Sequence, residues 1–186
     1  VLDRRLRTTN PHIYAVGDAA GGPQFTHVAG YHAGIVIRNA LFRLPAKVDY
    51  RALPWVTYTD PELAQVGLTE AQARAAVGAD LRILRAPFHD NDRAQTERAT
   101  HGLVKILATR RGRVLGATIL GAEAGELIQS FGLAIAAGVK LSRLAGLIAP
   151  YPTLGEAGKR AAGSFFLPKL FTARTRFLVR LLSKLG

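Results

Sequence analysis

Residues 102–109 (GLVKILAT) and 113–120 (RVLGATIL) are two runs with apolar side chains at alternate positions, separated by a turn at Arg111-Gly112. A period of two puts alternate side chains on one face of a strand, and a connection this short joins only antiparallel neighbours. The chain must therefore build an antiparallel hairpin, and other strands have to extend it before its apolar face is covered. Candidates are Leu81–Phe88, Trp55–Thr59 (WVTYT) and, more weakly, Ala64–Leu68, the last two parted by the turn Asp60-Pro61. They carry the β-branched and aromatic residues that suit a pleated surface. Helical segments accompany them: EAQARAAV opened by Thr69 and Glu70, a long apolar helix LIQSFGLAIAAGV ending near Gly138, Leu141–Leu147, and Glu156–Phe165 after an extended loop at 149–153. Antiparallel strands followed by gathered helices predict an α+β fold, an antiparallel sheet flanked by helices.

The N-terminal part has a different pattern. The run Ile13-Tyr14-Ala15-Val16 breaks at Gly17-Asp18-Ala19-Ala20-Gly21-Gly22-Pro23, and Thr26–Phe42 follows without a turn signal. This predicts a strand, a glycine turn and a helix with Thr26 as N-cap. Such a unit is a piece of an α/β layer, yet the sequence offers no second strand to pair with the first. The sequence also begins at Val1 rather than Met, so the chain is expected to be part of a longer protein. Residues 44–53 (LPAKVDYRAL), polar and flanked by Pro45 and Pro54, predict a linker. The expected organisation is 1–45, 46–165 and a tail at 166–186.

Cysteine is absent, which excludes a disulfide, a zinc-thiolate site or a thiol nucleophile within these residues. Lys and Arg number 25 against 13 Asp and Glu, a formal charge of +12, and 48% hydrophobic content excludes a disordered chain. No apolar run is long enough to cross a bilayer, and a cytoplasmic protein is expected. Five of the cations, Lys169, Arg174, Arg176, Arg180 and Lys184, lie in the segment from Phe165 to Gly186, which has no acid. If helical from about Pro168, the tail gathers Leu170, Phe177, Leu178, Leu181, Leu182 and Leu185 mostly on one side, away from Arg174, Arg180 and Lys184. Two readings follow: the apolar face packs on a dimer with its charges in solvent, which is preferred, or the tail makes a peripheral contact with an anionic membrane. No zinc finger, helix-turn-helix or RNP-like motif is present, so a nucleic-acid partner is not expected.

Gly17 and Asp18 are the first candidate site residues. A glycine at a strand's C-terminal end lets a ligand approach the backbone, and the aspartate accepts hydrogen bonds from ligand hydroxyls. The same residues fit a plain turn. Five histidines are present, and His27 and His32, five apart and without a carboxylate, lack metal-pair spacing. They are expected at the surface or near a ligand, with no metal site.

The string TTNPHIYAVGDAA followed by THVAGYHAG resembles the second flavin-binding motif of the pyridine nucleotide-disulfide oxidoreductases. LPWVTYTDPELAQVGL (53–68), NDRA (91–94), Gly116 and GAEAGELIQ (121–129) resemble that family's C-terminal dimerisation domain, most closely in the mercuric reductase and dihydrolipoamide dehydrogenase branch. The resemblance runs from about 8 to 165. It implies that 1–45 is the end of an FAD-binding domain and 46–165 a dimerisation domain, that the protein is a homodimer, and that its cofactors are FAD and NAD(P)H. It further implies that Asp18 binds the ribityl chain, that Gly17 admits the flavin, and that Thr26, His27 and Val28 touch the ring system through their backbone. A GxGxxG and a Cys-x4-Cys are expected in N-terminal sequence beyond these residues.

The same resemblance singles out Tyr151-Pro152-Thr153-Leu154-Gly155-Glu156. In disulfide-reducing members this place holds a histidine, the general acid/base, and a glutamate that orients it, both delivered to the partner's active site. Here Tyr151 stands for the histidine, and a phenol with a pKa near ~10 does not shuttle protons at neutral pH as imidazole does. Mercuric reductases have a tyrosine there but also a C-terminal cysteine pair, which this sequence lacks. Tyr151 is either a functional phenol lining the cleft or a packing residue, and Glu156 is more readily a helix N-terminal charge than a catalytic group. The expected function is the dimerisation portion of an FAD-dependent NAD(P)H oxidoreductase, inactive by itself and completing the partner's active site. The alternative is a non-catalytic dimerisation and membrane-docking module.

Overall fold

In the computed structural model, which describes residues 1–184, the apolar run at Ile13–Val16 does not become a strand. Its only ladder contact among the described residues is an isolated antiparallel bridge between Arg7 and Tyr14, and Ile13 and Val16 are exposed. A strand needs a neighbour to take its backbone groups, and the first unit of the fold, Val1–Tyr50, supplies none beyond this bridge. Residues Gly17–Ala20 form a 3-10 turn, and helix α1 spans Thr26–Ala40. The expected cap is corrected by one residue: extended Phe25 is the N-cap, makes no side-chain capping bond, and leaves Thr26 inside the first turn.

Leu6, Ile35 and Val48 form the buried centre of this unit, with Val36, Ala46 and Tyr50 against them. Residues 46–50, expected to begin the second domain, fold back here instead. The Val48 N–H donates to the Arg4 carbonyl at 2.8 Å, and Asn39 Nδ2 donates to the Ala46 carbonyl at 2.7 Å. The division therefore falls after Tyr50, and only the stretch beyond it serves as a connection.

The second unit, from Arg51 onward, holds β1 (Pro54–Thr57), β2 (Glu62–Gly67), α2 (Glu70–Val77), β3 (Leu81–Pro87), α3 (Asp92–Thr96), β4 (Leu103–Thr109) and β5 (Val114–Gly121). It continues with α4 (Ala124–Leu127), α5 (Gln129–Ala136), α6 (Leu141–Ala145), α7 (Glu156–Ser164), α8 (Leu167–Leu170) and α9 (Ala173–Leu182). The sheet order is β1-β2-β5-β4-β3, antiparallel throughout. This is the α+β fold expected, built around the β4–β5 hairpin.

β5 lies in the middle, and that explains its sequence. One face of the sheet packs Val66, Ile106 and Ile119 against Ile128, Phe131 and Ala161, while Leu107 and Leu115 on the other face meet Ala73 of α2. A strand covered on both sides has to be apolar or small almost throughout. At Gly116 a Cβ would stand 2.1 Å from the Leu68 carbonyl oxygen, so the crossing of the two segments needs glycine there. α2 starts with a capping box: the Thr69 side chain accepts from Gln72 N, and Gln72 Oε1 accepts from Thr69 N at 2.9 Å.

The long apolar helix is interrupted. It begins at Ala124, earlier than expected, and breaks around Ile128 between α4 and α5. Glu62 of β2 secures its start, its Oε2 accepting from the Gly125 N–H at 2.9 Å. The tail is likewise two helices, α8 and α9, rather than one from Pro168, so Leu170 belongs to a different helix from Phe177. Leu185, counted with the apolar side above, lies outside the described residues.

Candidate functional site

The two groups of candidate residues fall in different units. In the first, Gly17 has φ of +59° and is buried, and a Cβ on it would lie 3.1 Å from the Ala29 Cβ. Both the conformation and the space favour glycine at this bend. Asp18 follows it in the turn with its carboxylate exposed and, among the described residues, without a hydrogen-bond partner.

The sequence reading missed what holds this bend. His32 is fully buried, not a surface residue. Its Nδ1 accepts the Gly17 N–H at 3.1 Å, and its Nε2 lies 2.6 Å from the Tyr50 hydroxyl. A ring nitrogen that accepts from an amide carries no proton, so the proton sits on Nε2, which donates to Tyr50, and the ring is neutral. Burial pushes the His32 pKa down, and burial followed by the nearby Tyr31 pushes the Tyr50 pKa up, so both stay uncharged. A histidine spaced fifteen residues after a Gly-Asp turn carries no recognisable signal.

Thr26 and His27 are exposed on the first turn of α1, where His27 stacks on Phe25 with ring centroids 5.1 Å apart. Val28 differs. Its side chain is buried and its N–H donates to the Phe25 carbonyl at 3.0 Å, so it offers a ligand proximity rather than a free donor.

In the second unit, Tyr151 and Glu156 line an open cleft of about 490 Å³ with Asn91, Asp92, Lys159 and Arg160. Tyr151 does not bond to Glu156. Its hydroxyl donates to Asp92 Oδ2 at 2.9 Å, across 59 residues of sequence. That hydrogen bond, then the charge of Asp92, pushes the phenol pKa above its ordinary value. The side chain thus keeps its proton more firmly than a free tyrosine and serves as a neutral donor, the opposite of what a proton shuttle needs. Glu156 is the first residue of α7, and its Oε2 accepts the Thr153 N–H at 3.4 Å.

The loop carrying Tyr151 is fastened by Asn91, which is 4% exposed. Its Nδ2 donates to the Thr153 carbonyl at 3.0 Å and its Oδ1 accepts the Ala94 N–H at 2.9 Å, capping α3. Asn91 and Asp92 were visible in the sequence only as part of a string resembling the family. The partnership with residues 151–153 depends on tertiary placement. No group of three or more His, Cys, Asp or Glu suited to a metal occurs among the described residues.

The fold is shared with known flavoproteins. The HOCl-induced flavoprotein disulfide reductase RclA from Escherichia coli superposes with a TM-score of 0.81 at 32% identity, covering 88% of this chain and 38% of that one. LpdA from Mycobacterium tuberculosis gives 0.82 at 31% identity, covering 88% and 36%. In sequence, the mercuric reductase of Streptomyces lividans is 43% identical over 167 residues, 89% of this chain and 35% of that protein. The dihydrolipoyl dehydrogenase of Bacillus subtilis is 40% identical over 161 residues, 86% and 34%. The fold is that of the flavoprotein disulfide reductases. The chain belongs to the family described as pyridine nucleotide-disulphide oxidoreductase, dimerisation domain, which matches residues 53–162. It spans about a third of the length of the curated relatives it matches.

Proposed function

We propose that this chain is the dimerisation portion of an FAD-dependent, NAD(P)H-using oxidoreductase, in which two copies pair and each presents Tyr151 and Glu156 to the active site of the other. The family match over residues 53–162 carries the reading. Exposed apolar side chains of the second unit, Leu133, Leu147 and Ile148, support it, because a second subunit would cover them. Residues 1–45, with 46–50 packed on them, are proposed as the end of the FAD-binding domain, 51–165 as the dimerisation domain, and 166–186 as a separate tail.

The first unit's residues fit a flavin. The Gly17 bend admits close backbone approach, the unpartnered Asp18 carboxylate accepts hydrogen bonds from ribityl hydroxyls, and Thr26, His27 and Val28 bring the first turn of α1 alongside. His32 acts by fixing the Gly17 amide. Bound flavin supplies hydride acceptance from NAD(P)H. Tyr151, protonated and with its O–H held by Asp92, presents its oxygen as a hydrogen-bond acceptor or positions an electron acceptor, and Glu156 keeps the loop and α7 in register. The chain by itself lacks activity on this account.

The test uses the complete polypeptide, purified for flavin absorbance and NAD(P)H consumption. Asp18→Ala and Tyr151→Ala subunits are each expected to give inactive homodimers. Co-expressed, they form mixed dimers with one intact site, restoring about a quarter of normal activity if subunits pair at random. A mixture no more active than either parent variant would sink the shared-site reading, and a complete polypeptide that binds no flavin would sink the enzyme reading itself.

A further inference from the structure

We propose that the tail helices α8 and α9 form a membrane-surface anchor that docks on anionic phospholipid. This goes beyond the oxidoreductase reading and does not depend on it. No residue of α8 or α9 is buried, and Phe171, at the elbow between them, and Phe177 are 76% and 69% exposed. Leu167, Leu170, Leu178, Val179, Leu181 and Leu182 are exposed as well. No helix among the described residues is long and apolar enough to cross a membrane, so the contact is with a surface.

The elbow has a defined structure. The Thr172 side chain caps α9 by accepting the Thr175 N–H at 3.1 Å, and Thr175 Oγ1 donates to the Lys169 carbonyl of α8 at 2.7 Å. The two short helices are thus tied into one element with its aromatic corner outward. Along α9, Arg176 and Arg180 stand four apart and share a face, with Lys184 in the turn just past the helix, while Leu178 and Leu182 lie on the other side with Phe177 and Leu181 bordering them. Arg174, expected apart from the apolar residues, stands three and four positions before Phe177 and Leu178 and shares their face. It sits in the first turn, where its long stem can carry the charge outward.

Charge selects the occupant. From Phe165 onward the sequence has five cations and no acid, within a chain of net +12. A second copy brings the same excess, so covering this face with it sets like charges together. An anionic bilayer instead receives the apolar side chains among its acyl chains and the cations among its headgroups. Each cation near such a surface strengthens binding about fivefold, so Arg176, Arg180 and Lys184 together account for a factor on the order of a hundred.

The test is co-sedimentation of the full chain with vesicles of mixed phosphatidylcholine and phosphatidylserine, and with phosphatidylcholine alone, at about 0.1 M and about 1 M salt. Expected is binding to the mixed vesicles at low salt, weakened by high salt and by omission of phosphatidylserine. The variant Arg176→Gln/Arg180→Gln/Lys184→Gln is expected to bind on the order of a hundredfold less, and Phe177→Ser/Leu181→Ser to bind weakly as well. A control with equal charge loss elsewhere, Arg111→Gln/Lys140→Gln/Arg143→Gln, is expected to bind as the parent does. Absence of sedimentation, equal binding by the tail variant, or an equal loss in the control overturns the proposal. So does a Phe177→Ser/Leu181→Ser variant that loses dimer mass with vesicle binding unmoved, which would give the face to a second copy.

Discussion

Asn91→Ala tests how the Tyr151 loop is held. The side chain is buried and makes two hydrogen bonds, to the Thr153 carbonyl and from the Ala94 N–H. Losing the cap of α3 costs about 1 kcal/mol. The Thr153 carbonyl keeps a weak contact from the Glu156 N–H at 3.4 Å, so its loss falls at the low end of an unmet buried acceptor, about 1 kcal/mol. The sum is about 2 kcal/mol. Trp55, the only tryptophan, lies in β1 and reports unfolding of the second unit by fluorescence. With a urea slope of about 2 kcal/mol per M, the midpoint should fall by about 1 M with the slope unchanged. Asp92→Ala, which removes only the exposed bond to Tyr151, should leave the midpoint nearly where it was. A midpoint for Asn91→Ala within about 0.2 M of the parent, or a larger fall for Asp92→Ala, would refute the reasoning.

Two further outcomes concern protons. His32 is neutral in the fold with its pKa lowered by burial, so the unfolded chain takes up a proton first as pH falls. Its contribution to the first unit is complete above about pH 6.5 and diminishes below it, so amide protection around Gly17 in hydrogen exchange, corrected for intrinsic rates, should drop between pH 7.5 and 5.5. A His32→Gln variant should lack that pH dependence, and a parent profile that is flat would contradict the assignment. The Tyr151 phenol should titrate above the ordinary tyrosine range by NMR of ring-labelled tyrosine and return toward it in Asp92→Asn; titration at or below that range would rule out the hydrogen bond as described.

The sheet was legible because its signals are local. Period-two apolar runs around Gly112 define the β4–β5 hairpin, and Thr69 with Gln72 writes a helix start within four residues. Trp55–Thr59 and Ala64–Leu68 were found a residue or two out of place, as edges set by pairing rather than composition tend to be. What failed to show depends on partners distant in sequence. Ile13–Val16 has strand composition but no ladder to join, and the start of α4 relies on Glu62. The site divides the same way. Gly17, Asp18, Tyr151 and Glu156 stand in strings that resemble the family, whereas His32, Asn91 and Asp92 act through contacts that only the folded chain creates.

Pairing of two copies through the second unit is the claim on which the functional reading rests, and the mass of chain 1–186 in solution tests it most directly. Light scattering across a size-exclusion peak should give twice the 20.0 kDa of one chain and hold that value on dilution through the micromolar range. A peak that stays at 20.0 kDa at the highest concentration would contradict it.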